Sequence, residues 1–379
     1  MCVEWILDLE DDEGETPSDG GPCQRLYDSP TDTPVMTLPY NHDERMNALS
    51  RNSRPLHGYD GQGGVEFDVW QRTLRAELAE TLGFPAIRSV GPCDLDPRRI
   101  ETEAKDGYDR QKWTVRTEPG FRVPFYLLLP DDRQSPAPVV VTVHGHTDIG
   151  KDLAVGDPST DEHRTQIADE RRDIARQAVR RGYAVLAPDM RGFGELRENG
   201  RERDRGGACR EMQLHAQLFG RSLAGERTWD VLKLLEFVDT RPDLDGERLA
   251  ITGHSGGAAV TLYAAALEER FSVVAPNAYF CTFEDSIIEH DHCECNYVPG
   301  VRRLGEMSDI AGLVAPRPLL IATGNEDPIF PIDGTRRAFE KLRERYRAAG
   351  APDGCELYVG DGGHRFYDDG VWPFVRAHL

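Results

Sequence analysis

From residue 138 onward the chain alternates between short runs that are almost wholly apolar and longer stretches with helical spacing. The apolar runs are PVVVTVH (138–144), GYAVLAPD (182–189), ERLAITG (247–253), FSVVAPN (271–277), RPLLIAT (317–323) and CELYVG (355–360). A strand that is apolar on both faces belongs in a parallel sheet covered by helices. The intervening stretches DEHRTQIADERRDIARQAVRRG, ERTWDVLKLLEFVDTR and DGTRRAFEKLRERYRAAG supply the helices. Just upstream, RQKWTVRT and RVPFYLLLP, joined through Glu118-Pro119-Gly120, predict two antiparallel strands leading into the sheet. The pattern predicts an α/β fold over 108–379, a doubly wound and mostly parallel sheet flanked by helices, with an N-terminal helical extension.

The extension is read in two parts. In FDVWQRTLRAELAETLGF, Phe67, Trp70, Leu74, Leu78 and Leu82 recur at three- and four-residue steps and Gly83 supplies a stop. Residues 63–107 are therefore expected as a leading helix and linker packed on the core. Residues 10–62 are rich in Asp, Gly, Pro, Ser and Asn, and residues 1–62 are expected as a loosely ordered arm. No run of about 18 or more apolar residues occurs, so no membrane-spanning helix is expected. The first residues lack a basic segment ahead of an apolar one, which makes a cytoplasmic protein the expectation.

The chemistry concentrates in Gly253-His254-Ser255-Gly256-Gly257, between the apolar run LAIT and the helix-forming AAVTLYAAALEER. A sharp strand-to-helix turn would present the Ser255 hydroxyl above the sheet, with glycines two residues to either side because a Cβ there would strike neighbouring backbone. A serine hydroxyl is a weak nucleophile until a base removes its proton, and the base needs a carboxylate to orient it. Asp327, just past PLLIAT, and His364, in GDGGHRF just past ELYV, fall at the ends of the last two strands, and the order Ser, Asp, His is that of the hydrolases with such a turn. Glu326 is the alternative carboxylate; the shorter side chain on the Asp-Pro turn favours Asp327. An oxyanion hole is expected from the N–H of Gly256 and that of His146 in His144-Gly145-His146-Thr147, with Thr147 as the fallback.

Together HGH, DMRGFGE (189–195), GHSGG, the Asp-Pro loop and GGH resemble the α/β-hydrolase superfamily across about the last 270 residues. At finer grain the chain is similar to the acetylxylan-esterase-related and dienelactone-hydrolase-like proteins, sharing the leading helix, the Arg-Gly-x-Gly loop and the stretch APRPLL. The resemblance implies hydrolysis of carboxylic esters, often acetyl esters of sugars, on small-molecule substrates and without a cofactor. Two positions depart from the namesakes: Ser255 stands where dienelactone hydrolases carry Cys, and Gly256 where carbohydrate acetyl esterases usually carry Gln. A peptidase of the prolyl-oligopeptidase kind shares such a catalytic domain but carries a propeller that about 100 upstream residues cannot form. A non-catalytic binding protein on the same fold is the other rival, against which all three triad residue types are present.

The stretch Glu289-His290-Asp291-His292-Cys293-Glu294-Cys295 holds three residue types that bind metals. Its Cys-x-Cys spacing is tighter than the usual two-residue gap and no second Cys pair lies nearby, so no metal site is expected there. Instead 281–305 is read as a lid or pocket wall, with Phe283, Tyr297 and Val298 as substrate contacts and Phe280 beside them. The eight cysteines are scattered and read as free thiols of a reducing compartment.

Charge adds a last constraint. The formal net charge of −21 makes nucleic acid and anionic membranes poor partners. Only five of the 45 basic residues are lysine. Acid excess with scarce lysine reads as a halophilic surface, in which ions screen the self-repulsion; Arg codon bias in a GC-rich genome is the other reading.

Overall fold

The computed structural model describes residues 42–52, 55–59, 61, 66–197 and 209–379. Its nine strands are β1 (Arg98–Lys105), β2 (Tyr108–Glu118), β3 (Phe121–Pro130), β4 (Ala137–Val143), β5 (Ala184–Pro188), β6 (Leu244–His254), β7 (Phe271–Asn277), β8 (Leu319–Gly324) and β9 (Cys355–Gly360). They form one sheet in the order β1-β2-β3-β5-β4-β6-β7-β8-β9. The first three strands and the β3–β5 pairing are antiparallel, and every later pairing is parallel. The chain passes from β4 to β5 on one side and returns to β6 on the other, so the crevice beyond the carboxyl ends of β4 and β6 lies at the switch point of the winding.

Each of the six apolar runs is one of the parallel strands. The sheet buries an apolar cluster on each face. One gathers Trp70, Leu74, Leu78 and Leu82 of the leading helix Phe67–Leu82 with Val139, Val141, Leu249 and Ile251; the other gathers Val140, Val185, Ala250 and Val273 with the C-terminal helix Asp368–His378. Gly83 ends the leading helix at φ 90°, and a Cβ there would stand 2.6 Å from Arg221 Cα.

Three expectations are corrected. The segment read as a linker contains β1, whose side chains are mostly exposed; an edge strand such as RRIETEAK carries no apolar signal to find. Within the expected loose arm, His42–Asn52 is a helix and Leu56 donates its N–H to Arg303 O at 2.7 Å, while residues 1–41 lie outside the described residues. The long helical stretch after residue 160 is two short helices, Asp161–Ala168 and Ile174–Val179, separated by a turn in which Arg171 has φ 59°. Residues 46–379 form one compact unit. Among the described residues no helix is long and apolar enough to cross a membrane.

Candidate active site

Strand β6 ends at His254, and the helix Gly256–Leu267 begins two residues later, which leaves Ser255 alone to make the turn at φ 55° and ψ −121°. Left-handed backbone at a non-glycine residue is strained and is held here by close packing. A Cβ on Gly253 would lie 2.5 Å from Gly257 O, and one on Gly257 would lie 2.2 Å from Val143 O. The first N–H groups of the helix have no carbonyl within it to receive them, so that of Gly256 is free to face an anion.

Across the sheet edge, His364 Nδ1 donates to Asp327 Oδ2 at 2.8 Å. The other oxygen, Oδ1, accepts the N–H groups of Ile329 and Phe330, both at 3.1 Å, which locks the carboxylate at its angle. Asp327 is buried, whereas Glu326 is exposed and binds His364 nowhere. The Phe330 ring stacks on the His364 imidazole with centroids 5.9 Å apart and planes 17° apart. Among the described residues Ser255 Oγ makes no hydrogen bond to His364; free sites of this kind often close that contact only around a substrate.

What joins the two halves is Asn277, a residue no sequence pattern singled out. Its main-chain oxygen accepts the Ser255 N–H at 2.9 Å, its Nδ2 donates to Arg365 O at 2.8 Å, and its Oδ1 accepts the Tyr367 N–H at 2.8 Å. One fully buried residue at the end of β7 therefore ties the Ser255 turn, through its main chain, to the loop that carries His364, through its side chain. Its signal in the sequence was faint: a lone polar residue closing FSVVAPN.

The loop after β4 lies against the turn from the other side. A Cβ on Gly145 would stand 3.5 Å from Ser255 Cβ and 3.1 Å from His254 O. His144 is structural, accepting the Met190 N–H on Nε2 and donating from Nδ1 to Gly145 O, and burial pushes its pKa down to about 3. The His146 ring packs on Gly256, where a Cβ would meet Cε1 at 2.5 Å. That contact explains why glycine rather than a larger residue follows Ser255. Thr147 is buried beside it.

Below this loop the DMRGFGE stretch is scaffolding. Asp189 accepts from Lys151 Nζ at 2.9 Å and from the Lys151 N–H at 2.7 Å, and Arg191 binds Asp230 and Glu118 at 2.7 Å each. Buried ion pairs of this kind cost desolvation and fix loop position.

The expected substrate contacts need correction. Phe283 and Val298 are 2% and 4% exposed and belong to the main apolar cluster, because the 281–305 segment folds its large side chains inward; Phe280 does the same. Tyr297 is 44% exposed and is the one of these that presents a surface. The segment reaches the Phe330 ring that stacks on His364 through His292, whose ring meets Phe330 at 5.2 Å and whose Nε2 lies 3.0 Å from Ser286 Oγ. Burial pushes the His292 pKa down to about 4, and burial also holds His254, under the turn, well below the usual imidazole value.

The profile of the Abhydrolase family Abhydrolase_7 matches residues 46–361. The chain belongs to this family. The hydrolase is 28% identical over 311 residues to a Bacillus subtilis (strain 168) protein named as a hydrolase, YtaP, covering 77% of this chain and 94% of that one. Its fold is shared with a Bacteroides fragilis NCTC 9343 structure described as an acetyl xylan esterase (TM-score 0.71, 21% identity, 84% of this chain and 82% of that one). A CE15 glucuronoyl esterase from Teredinibacter turnerae T7901 matches with TM-score 0.61 at 18% identity over 90% of this chain and 93% of that one.

Proposed function

We propose that this α/β hydrolase is a serine carboxylic-ester hydrolase that works through an acyl-enzyme, with acetyl esters of sugars as its substrate class. The observation that carries the reading is the His364–Asp327 bond, locked by two backbone N–H groups, on the same sheet edge as the strained Ser255 turn. Ser255 Oγ attacks the ester carbonyl while His364 Nε2 takes its proton. The N–H groups of Gly256 and His146 receive the oxyanion, aided by the helix N-terminus. His364 returns the proton to the departing alcohol, and Asp327 stabilises the imidazolium between these steps. Water, activated by the same imidazole, then releases the acid. This chemistry calls on no cofactor. The sugar-ester part rests on the family's structural relatives, which are described as acetyl xylan and glucuronoyl esterases.

The test is turnover of p-nitrophenyl acetate and of acetylated xylo-oligosaccharides by wild type and Ser255→Ala. Removal of the nucleophile is expected to lower kcat by about 10³-fold or more. Equal rates would end the reading, and preference for a peptide over every ester would replace it with a peptidase.

A further inference from the structure

The Cys293-x-Cys295 pair has no second cysteine pair near it in sequence, but folding brings two further ligands to it from elsewhere in the chain. Cys209, at the start of the helix Cys209–Leu218, and His146, on the loop after β4, converge on the pair from separate parts of the chain. The three Sγ atoms and one imidazole nitrogen all lie within 4.8 Å of one another. Cys295 Sγ is 3.3 Å from His146 Nε2 and 3.5 Å from Cys293 Sγ. Four ligands at the corners of a tetrahedron around an ion with bonds of ~2.3 Å to sulfur and ~2.1 Å to nitrogen stand about 3.5–3.8 Å apart. The cluster therefore needs only small adjustments to close around a single ion. Cys209 and Cys295 are buried, and no disulfide links any of the three.

A second observation points the same way. Arg227 is 2% exposed, and among the described residues its partners are a carbonyl, a ring face and a thiol, with no carboxylate among them. Its guanidinium is held by the Arg191 carbonyl at 2.6 and 3.0 Å, by the face of Phe193, and by Cys209 Sγ at 3.1 Å. A buried cation needs a buried anion. Three thiolates and a neutral imidazole around a divalent ion carry one net negative charge, which Arg227 would balance.

We propose that His146, Cys209, Cys293 and Cys295 form a tetrahedral zinc site. Four protein ligands leave no open position, so the ion is structural rather than catalytic. It would clip the 281–305 wall and the helix Cys209–Leu218 to the loop after β4. A soft, sulfur-rich donor set excludes magnesium and calcium, and the small separation suits one ion rather than an iron–sulfur cluster.

The test is the metal content of the full-length protein purified under reducing conditions from zinc-supplemented growth. About one zinc per chain is expected, in wild type and equally in Ser255→Ala, which separates this site from the esterase reading. Cobalt(II) in place of zinc should give thiolate-to-metal charge transfer and the visible bands of a tetrahedral ion. Cys295→Ser and Cys209→Ser should each bring zinc below about a tenth of an equivalent, while Cys93→Ser keeps it in full. Should either cluster variant fail to fold, mercurial titration of wild-type thiols with a colorimetric zinc indicator gives the same answer, with zinc released in step with thiol modification. Chelation should lower Tm by about 5 °C or more. Zinc-free protein in which Cys209, Cys293 and Cys295 all titrate as free thiols, a Cys293–Cys295 disulfide, or bound iron in place of zinc would each overturn the proposal.

Discussion

The two flanks of Ser255 are built by different means. On one side His364 and Asp327 come from loops that follow adjacent strands, β9 and β8, so the topology alone brings them to one edge. On the other, His146 meets Cys295 across 149 residues of chain, and Cys209 enters from a helix beside them. The first flank is the arrangement any chain with this winding can make. The second depends on particular side chains, among them the missing one at Gly256, whose Cβ would strike the His146 ring. The winding of the sheet thus accounts for the His364–Asp327 pair, and individual contacts account for the flank at Gly256 and His146.

Substitutions at the base should have the largest effects. His364→Ala is expected to lower kcat/KM for p-nitrophenyl acetate by about 10³–10⁴-fold with Tm nearly unchanged. Asp327→Asn should come close to that loss, whereas Glu326→Gln should stay within about twofold of wild type; steady-state kinetics on the purified variants decides between the two carboxylates. Next in size is Asn277→Leu, which strands the Tyr367 N–H and the Arg365 carbonyl. A loss of about 2–4 kcal/mol in urea unfolding is expected, together with a fall in kcat from the misplaced base. Unchanged stability would remove Asn277 as the tie between the halves.

That comparison also explains what the sequence made legible. The parallel strands announced themselves because burial on both faces demands apolar runs, and Ser255, Asp327 and His364 could be named because each follows such a run. β1 was hidden by the polar side chains of an exposed edge. Asn277 and the partners of Cys293 were hidden for another reason: their roles arise from contacts between distant segments, and no local periodicity encodes them. Phe283 and Val298 misled because an aromatic or apolar residue in a wall segment reads alike whether it faces substrate or core.

Smaller effects sharpen the other flank. Gly256→Gln should push the His146 ring aside, costing about 1–3 kcal/mol in denaturant unfolding and lowering kcat several-fold. A variant as stable and active as wild type would show that the ring has room to move.

Acid should act through the buried histidines, His254 together with His144 and His292. The folded pKa of His254 is well below the usual value because it is buried, so the unfolded chain binds the proton more readily as pH falls below about 6.5. Stability is then full above that pH and declines on acidification, by up to about 1.4 kcal/mol per pH unit from this group. Urea unfolding at pH 7.5, 6.0 and 5.0 measures the slope, and His254→Asn should lessen it by that share, leaving the part carried by His144 and His292, whose pKa values burial also lowers. A slope shared equally by variant and wild type would assign the effect elsewhere.

The smallest expected effect concerns the acidic shell. With a net charge of −21, molar KCl should raise Tm by a few degrees through screening, and a flat or falling Tm across the series would favour codon bias as the origin of the arginines.

The central claim is that Ser255 is the nucleophile and His364 its base. A fluorophosphonate probe on the wild-type protein, mapped by peptide mass spectrometry, tests it most directly. A single adduct on Ser255 is expected, absent in Ser255→Ala and formed far more slowly in His364→Ala. An adduct on another residue, or labelling that survives Ser255→Ala, would contradict it.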